Sequence, residues 1–567
     1  VLADDAPASP THGPRTVEVP DEALPAGLAR AAARWPDRVA LDLLGATTTY
    51  AELARQVERA AGALHALGVR PGDRVAVALP SCPAHVVAAY AVLRLGAVLV
   101  EQNPLHTAAE LRHGLRDSGA QVAIVWERTL AAVLAARDGG EGAPELRTVV
   151  AVDLTTDLPR RARLALRLPV PAARRRRDEL RAPVPAGIPS WHALVAAAAP
   201  LPADHPGPAP DDVALLQYTG GTTGTPKAAV LHHRHLVANA VQCAAWTGDP
   251  QGTETLYAVL PFFHAFGLTL CLFYGVRTGA TLVLLPRFDP AMFLAAQRRR
   301  PGTFLPAVPP MLDRVAAAAE ESGADLTSFR YAFSGAMALP AATAARWERL
   351  TGGLVVEGYG MTETGPVALG NPLSPARRPG ALGLPFPSTD VRVVDPEDPD
   401  VDVPPGTQGE LLVRGPQVFA GYWRRPEETA HQLLPGGWLR TGDLVRVEED
   451  GFVVLVDRLK EMIVTGGFKV YPSQVEDHLR GMPGVRDVAV VGLPAGDLGE
   501  KVVAALVLEP GAPAVDLAAV RAWCGERLAR YAVPRDLVVL PELPRSLIGK
   551  VLRRVVREQL LGEARPA

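Results

Sequence analysis

Along residues 37–126, apolar runs of strand length alternate with longer helix-like stretches. Thr49-Tyr50-Ala51-Glu52 is a capping box, in which a hydroxyl and a carboxylate three residues apart satisfy the free N–H groups that begin a helix. The helix it opens stops at Gly68. Residues 74–79 then read as a strand, Ser81 begins a second helix, and residues 97–100 form a second strand. Thr107-Ala108-Ala109-Glu110 is another capping box, closed by Gly119 before a strand over 122–125. Strand–helix–strand units of this length predict a parallel sheet covered by helices. Further strands are expected at 213–216, 256–260, 281–285 and 331–333. Residues 381–456 change to short alternating strands and turns, with Asp450-Gly451 as a tight hairpin turn. The remainder reads as a small α/β lobe.

Residues 158–190 break the pattern. Arg160, Arg161, Arg163, Arg167 and the run Arg174 to Arg177 are interleaved with Leu164, Leu166, Leu168 and several prolines. A solvated basic loop is the plain reading. A peripheral contact with anionic lipid is the functional one, since each basic residue contributes about 1 kcal/mol near such a surface.

The densest chemistry lies at Gln217-Tyr218-Thr219-Gly220-Gly221-Thr222-Thr223-Gly224-Thr225-Pro226-Lys227. Three glycines, four threonines and one lysine fall within nine residues, directly after an apolar strand. Glycines let backbone N–H groups approach an anion closely, hydroxyls add donors, and lysine adds a mobile charge. This composition points to a polyphosphate cradle, with an ordinary Gly/Thr turn as the alternative. The spacing is not that of a Walker loop.

Length and composition bound the rest. A chain of 567 residues exceeds one core, so at least two domains are expected. Hydrophobic content of 48% with 21% charged residues fits a globular protein, and a net charge of −3 argues against nucleic acid as the main partner. The four cysteines are scattered, giving no zinc or disulfide pattern and fitting a reducing cytoplasm. No signal peptide is read in residues 1–24, which are acidic and Pro-rich and expected to be a loose arm. The best apolar run, 86–100, is cut by Arg94 and Gly96 before it reaches spanning length. Of 58 basic residues only five are lysines: Lys227, Lys460, Lys469, Lys501 and Lys550. In so arginine-rich a chain, a surviving lysine suggests a site where arginine will not serve, with chance survival as the alternative.

The segment from Tyr218 to Lys227 resembles the signature loop of the adenylate-forming superfamily, which includes acyl-CoA synthetases, luciferases and peptide-synthetase adenylation domains. Ala228 departs from the family's usual glycine. The resemblance extends over nearly the whole chain and implies an α/β fold. Its large N-terminal domain, 25–457, has helix-covered sheets and a β-rich subdomain at 381–456. A hinge at 458–460 leads to a small mobile C-terminal α/β domain, 461–567. It also implies roles. Thr219, Gly220, Gly221, Thr222, Thr223, Gly224 and Lys227 hold phosphates; Gly335 and Gly358 line the adenine site; Tyr359 stacks on the base; and Thr362 meets phosphate. Glu363 holds Mg²⁺, which prefers a carboxylate with phosphate oxygens. Asp443 accepts both ribose hydroxyls, Arg458 contacts the nucleotide, and Lys460 is the hinge. Gly466 and Gly467 border the pantetheine tunnel with Lys469 beside them, and Lys550 lies in the catalytic-lysine loop. Phe263, His264, Phe266 and Gly267 match the wall of the acyl pocket, with His264 near the carboxylate; plain core is the alternative reading of that aromatic cluster. Lys501 has no role in this scheme.

The implied activity is ATP-dependent acyl-CoA synthesis through an acyl-adenylate, with ATP, Mg²⁺ and coenzyme A as cofactors or co-substrates. Asn103-Pro104-Leu105-x-Thr107-x-x-Glu110-Leu111, Gly466-Gly467-Phe468-Lys469-Val470-Tyr471-Pro472 and Leu543-Pro544-Arg545-Ser546-Leu547-x-Gly549-Lys550 are most similar to fatty-acid–CoA ligases. An aryl-CoA ligase and an enzyme loading a separate carrier protein are alternatives. A non-catalytic nucleotide- or lipid-binding protein is a further alternative, whose mark would be loss of Glu363, Asp443 or Lys550; all three are present.

Overall fold

The computed structural model describes residues 13–140, 142–202, 204–219, 226–496, 499–546 and 549–563. Two compact units emerge: one of residues 13–390 and 414–437, the other of 391–413 and 438–563. The strands within 381–456 are therefore shared between the units.

The first unit carries two sheets. In the six-strand sheet the order is Thr148–Val152, Val122–Trp126, Arg74–Ala78, Val98–Glu101, Val213–Thr219, Lys227–His232. All neighbours are parallel except the last pair. The helices between them begin where the sequence indicates. Thr49 and Thr107 each form the full reciprocal capping box, and Gly119 ends its helix in the left-handed region at φ 65°. The second helix starts at Pro83 rather than Ser81, because a proline suits the first turn. Ser81 is instead spent on another segment, described below. The other sheet has nine described strands, parallel through its centre and antiparallel at both ends. Tyr257, Phe293, Phe329 and Trp347 interlock against it.

Two expectations change here. The arginine-rich stretch is helical, as Arg160–Ala165 and Pro171–Leu180, and neither helix buries a residue. Arginine is a good helix former, and Pro171 begins the longer helix. Residues 13–24 are docked rather than loose, while 1–12 lie outside the described residues: Ser388 N–H donates to the Arg15 carbonyl, the Ser388 hydroxyl accepts from Val17 N–H, and Glu22 pairs with Arg277 at 2.7 Å.

The second unit contains an antiparallel sheet of Asp390–Val394, Gly409–Arg414, Trp438–Val447 and Val453–Arg458. The turn at Asp450-Gly451 spans three residues, with Gly451 at φ 85° and its N–H bonded to the Glu448 carbonyl. Beyond it, Val485–Pro494, Glu500–Leu508 and Asp536–Val539 form a sheet flanked by helices Pro472–Arg480, Leu517–Gly525 and Arg553–Glu563. Separate apolar clusters pack on its two faces. Among the described residues no helix is long and apolar enough to cross a membrane.

Candidate active site

Gly220, Gly221, Thr222, Thr223 and Gly224 lie outside the described residues, but both ends of their loop are placed. Thr219 and Lys227 face each other across an antiparallel pair, so the loop joins two strands as a hairpin. The Thr219 hydroxyl donates to the Lys227 carbonyl at 3.3 Å. Ala228 is buried in the core of the six-strand sheet, so the missing glycine costs no packing.

Residues 420–423 run alongside Lys227–His232: Trp423 N–H donates to the Ala228 carbonyl and Val230 N–H to the Gly421 carbonyl, both at 2.9 Å. This pairing inserts Tyr422 between two site residues. Its hydroxyl donates to Glu363 Oε1 at 2.6 Å, and its ring lies 5.4 Å from the Lys227 ammonium. Burial and the Glu363 charge push the Tyr422 pKa up, so it stays a donor. Lys227 is also 3.7 Å from Glu428 Oε1. Tyr422 escaped the sequence reading. Its one local signal is Gly421-Tyr422-Trp423, and its partners lie far away in sequence.

Gly358, Tyr359 and Gly360 are the last residues of strand Leu354–Gly360, and Thr362 opens the single turn Thr362–Thr364. Packing explains the glycines. A Cβ on Gly358 would lie 2.0 Å from the Phe333 ring, and one on Gly335 3.0 Å from the Phe266 ring. Phe266 and Phe333 meet edge to face at 6.3 Å. The segments around 266, 335 and 358 are thus brought together in layers. Ala336, beside Gly335, is held at φ 67°, a left-handed conformation that alanine rarely adopts and that recurs at functional sites.

His264 stands at the edge of this aromatic group. Burial lowers its pKa to about 4, so the ring is neutral. The Phe266 N–H points to Nδ1 at 3.3 Å, which makes Nδ1 the acceptor and puts the ring proton on Nε2. Gly267 opens a wholly buried π-helical stretch, Gly267–Phe273, a local irregularity frequent at functional sites.

The second unit assembles its own charged group. Asp443 and Arg458 are register partners on adjacent strands and form an ion pair at 3.2 Å. Lys550 lies within electrostatic reach of both. Burial, then the Arg458 charge, lowers its pKa to about 8, against the opposing pull of Glu461 and Asp443. Its loop is braced by Lys550 N–H to Ser546 Oγ at 3.1 Å and by Arg545 to the Gly549 carbonyl at 2.6 Å. Arg553, close enough to act on Lys550 electrostatically, bridges Glu476 at 2.6–2.7 Å and Glu461.

The remaining positions have local explanations as well. Gly466 and Gly467, at φ 56° and 82°, form the two-residue turn between Ile463–Thr465 and Phe468–Val470, a turn requiring positive φ twice. Lys460 lies in the short turn Leu459–Glu461, Lys469 is 3.3 Å from Glu397, and Lys501 pairs with Asp536 at 2.9 Å. No group of three metal-ligating side chains occurs among the described residues. Glu363 therefore fits a metal only as one carboxylate completed by phosphate oxygens and water, the pattern of Mg²⁺.

The first unit thus holds helix-covered parallel sheets, and the second holds a buried lysine within electrostatic reach of Asp443 and Arg458. Residues 28–423 match the AMP-binding enzyme family, and residues 474–550 match the AMP-binding enzyme C-terminal domain. The chain is 35% identical to the long-chain-fatty-acid–CoA ligase of Bacillus subtilis over 97% of both chains. It is 37% identical to the feruloyl-CoA synthase of Amycolatopsis sp., covering 91% of this chain and 94% of that one. Among solved structures, ATP-bound MatB from Rhodopseudomonas palustris superimposes with a TM-score of 0.81 at 30% identity, covering 96% of this chain and 100% of that one. The chain belongs to the AMP-binding enzyme family and is an AMP-forming acid–CoA ligase of the adenylate-forming superfamily.

Proposed function

We propose that this ligase activates medium- or long-chain fatty acids, with aryl acids as the competing substrate class. The observation that supports it is the neutral His264, which accepts from the Phe266 N–H, together with the apolar Phe266–Phe333 ring pair: one polar donor for a carboxylate, with apolar side chains beside it in the chain. A hydroxylated aryl acid would bury a phenol that needs a partner of its own. The full-length similarity to the Bacillus subtilis enzyme points the same way. A panel from acetate to oleate, with benzoate and coumarate, tests it. The highest kcat/KM should fall at eight carbons or more, and a preference for aryl acids would overturn the assignment.

In the first half-reaction the carboxylate oxygen attacks the α-phosphorus of ATP in line, forming acyl-adenylate and releasing pyrophosphate. In the second, the CoA thiol displaces AMP. Two anions must first meet, and at 4 Å they repel by about 4 kcal/mol at an effective dielectric of 20. Lys227 and the phosphate loop hold the terminal phosphates, and Lys550 stabilises charge on the α-phosphate. His264 Nε2–H orients the carboxylate. Glu363, held by Tyr422, would carry Mg²⁺, which when bound neutralises phosphate charge. Tyr359, Gly335 and Gly358 receive the base, Thr362 contacts phosphate, and Asp443 with Arg458 receives the ribose. Lys460 is the hinge about which the C-terminal domain turns between half-reactions, bringing Gly466, Gly467 and Lys469 to the pantetheine arm.

We further propose that residues 160–181 contact anionic lipid. Leu164 and Leu168 are 63% and 55% exposed among the arginines of two helices that bury nothing. Salt-sensitive sedimentation with acidic liposomes, lost when Arg174 to Arg177 become Ser, is the expected result. Equal pelleting with neutral lipid would refute it.

A further inference from the structure

The segment 260–264, which carries Phe263 and His264, leaves the end of strand Thr255–Ala258 in the nine-strand sheet. Its backbone, however, is tied to the six-strand sheet. Ser81 Oγ accepts from Phe262 N–H at 3.2 Å and faces the Leu260 carbonyl at 3.4 Å. The Gln217 carboxamide donates to the Phe263 carbonyl at 2.9 Å. The His85 ring meets Phe262 edge to face at 5.5 Å. None of the three is itself among the nucleotide or acid contacts proposed above.

Gln217 is the informative one. It lies on strand Val213–Thr219, two residues before Thr219, where the chain enters the phosphate loop. The same residue therefore touches both halves of the reaction: its backbone leads to the ATP phosphates, and its side chain holds the carbonyl next to His264. Its register neighbour on the parallel strand is Glu101. Glu101 is completely buried and hydrogen-bonded through Oε1 to His85 Nε2 at 2.9 Å. His85 Nδ1 faces the carbonyls of Leu79 and Pro80 at 3.1 and 3.3 Å. Carbonyls only accept, so Nδ1 carries a hydrogen, and one further proton is shared between Nε2 and Oε1. The pair is net neutral whichever atom holds that proton, which lets it sit in the core without an uncompensated charge. Through Glu101 the pair lies on the strand next to Gln217. Glu101 Oε2 and Gln217 Oε1 both lack a hydrogen-bond partner among the described residues, an expensive arrangement of the kind retained where position matters.

We propose that Gln217 is a positioning residue that hangs the acid-binding segment from the phosphate-loop strand, so that the carboxylate and the α-phosphorus come into line. Ser81 and the His85–Glu101 pair fix the same segment from the side. The proposal rests on the reading that residues 261–267 hold the acid. In-line attack tolerates little displacement, and a 1 Å misplacement costs about 10²-fold in rate.

The test compares wild type with Gln217→Leu and Ser81→Ala, both chosen to remove a polar tie with little change in volume. For Gln217→Leu, carboxylate-driven ATP–pyrophosphate exchange should fall about 10²-fold in kcat. The KM for ATP and the transfer of a supplied acyl-adenylate to CoA should stay within about twofold, and the loss should be similar for short and long acids. Hydrogen exchange at the amides of 260–264 should quicken in both variants. Unchanged exchange at that segment would overturn the tie. Parallel losses in ATP binding, acyl transfer and Tm would make Gln217 merely structural. A loss that grows with acid length would make it a pocket wall rather than a positioning group. If residues 261–267 do not hold the acid, exchange at 260–264 still quickens while the acid kinetics stay at wild-type values, which separates that failure from failure of the tie.

Discussion

The two lysines assigned to phosphate stand in opposite settings. Lys227 begins an edge strand of the first unit, 32% exposed, with Glu428 at 3.7 Å and the Tyr422 ring beneath it. Lys550 sits in a braced loop of the second unit, where burial and Arg458 lower its pKa to about 8; no ion pair to it occurs among the described residues. A solvated, partnered charge suits holding a ligand that arrives already charged. A charge stripped of water acts more strongly on charge that develops beside it, because nothing screens or reorganises. The cost of that strength is a proton held less firmly.

The largest expected effect is at Lys550. Lys550→Ala should reduce adenylate formation by about 10²–10³-fold, or about 3–4 kcal/mol, while leaving transfer of a supplied acyl-adenylate to CoA near wild type. Lys550→Arg should fail substantially too, since a planar fork replaces a point charge. Equal slowing of both half-reactions would erase the contrast by making Lys550 part of one fixed site.

The same lysine predicts a pH limb. Only the cation stabilises the α-phosphate, so adenylation kcat/KM should fall as pH rises through about 8, by about tenfold per unit above it. Stability moves the other way. The unfolded lysine binds its proton up to about 10.5, so between about 8 and 10.5 the unfolded state holds more protons and the folded state gains stability as pH rises. At pH 7 the full penalty applies, and Lys550→Met should stabilise the protein by about 2 kcal/mol, read as a rise in the denaturation midpoint.

At the solvated lysine's end of the comparison, Tyr422→Phe removes one hydrogen bond to a carboxylate. Mg²⁺-dependent ATP binding should weaken by about 1.5 kcal/mol, measured calorimetrically, with acid KM unchanged. The smallest effect belongs to Lys501, whose pair with Asp536 is partly exposed on both sides. Lys501→Met should change stability by less than about 1 kcal/mol and activity not at all. A large loss of activity there would restore the idea that every surviving lysine is chemical.

That idea shows where sequence reading stops. Lysine scarcity singled out Lys227 and Lys550, yet it equally singled out Lys501, which is a structural pair across two strands. The glycines at 466–467 were read as access for a thiol arm. The fold gives them a sufficient reason of its own, a two-residue turn with positive φ twice. Gly358, matched to the adenine site by resemblance, also lacks room for a Cβ against Phe333.

What the sequence determined by itself was local: the capping boxes at Thr49 and Thr107, the alternation of strands and helices, and the Gly/Thr/Lys loop. Each is written within a few consecutive residues, and the two capping boxes are satisfied by bonds between near neighbours. Tertiary structure alone decided the rest. Tyr422 reaches Glu363 from 59 positions away, Asp443 finds Arg458 through strand register, and Gln217 holds the Phe263 carbonyl 46 positions further on. Those contacts depend on which strands become neighbours and which face each residue turns. That is settled by the packing of whole sheets, and a one-residue slip in register would turn strand residues such as Asp443 and Gln217 to the opposite face.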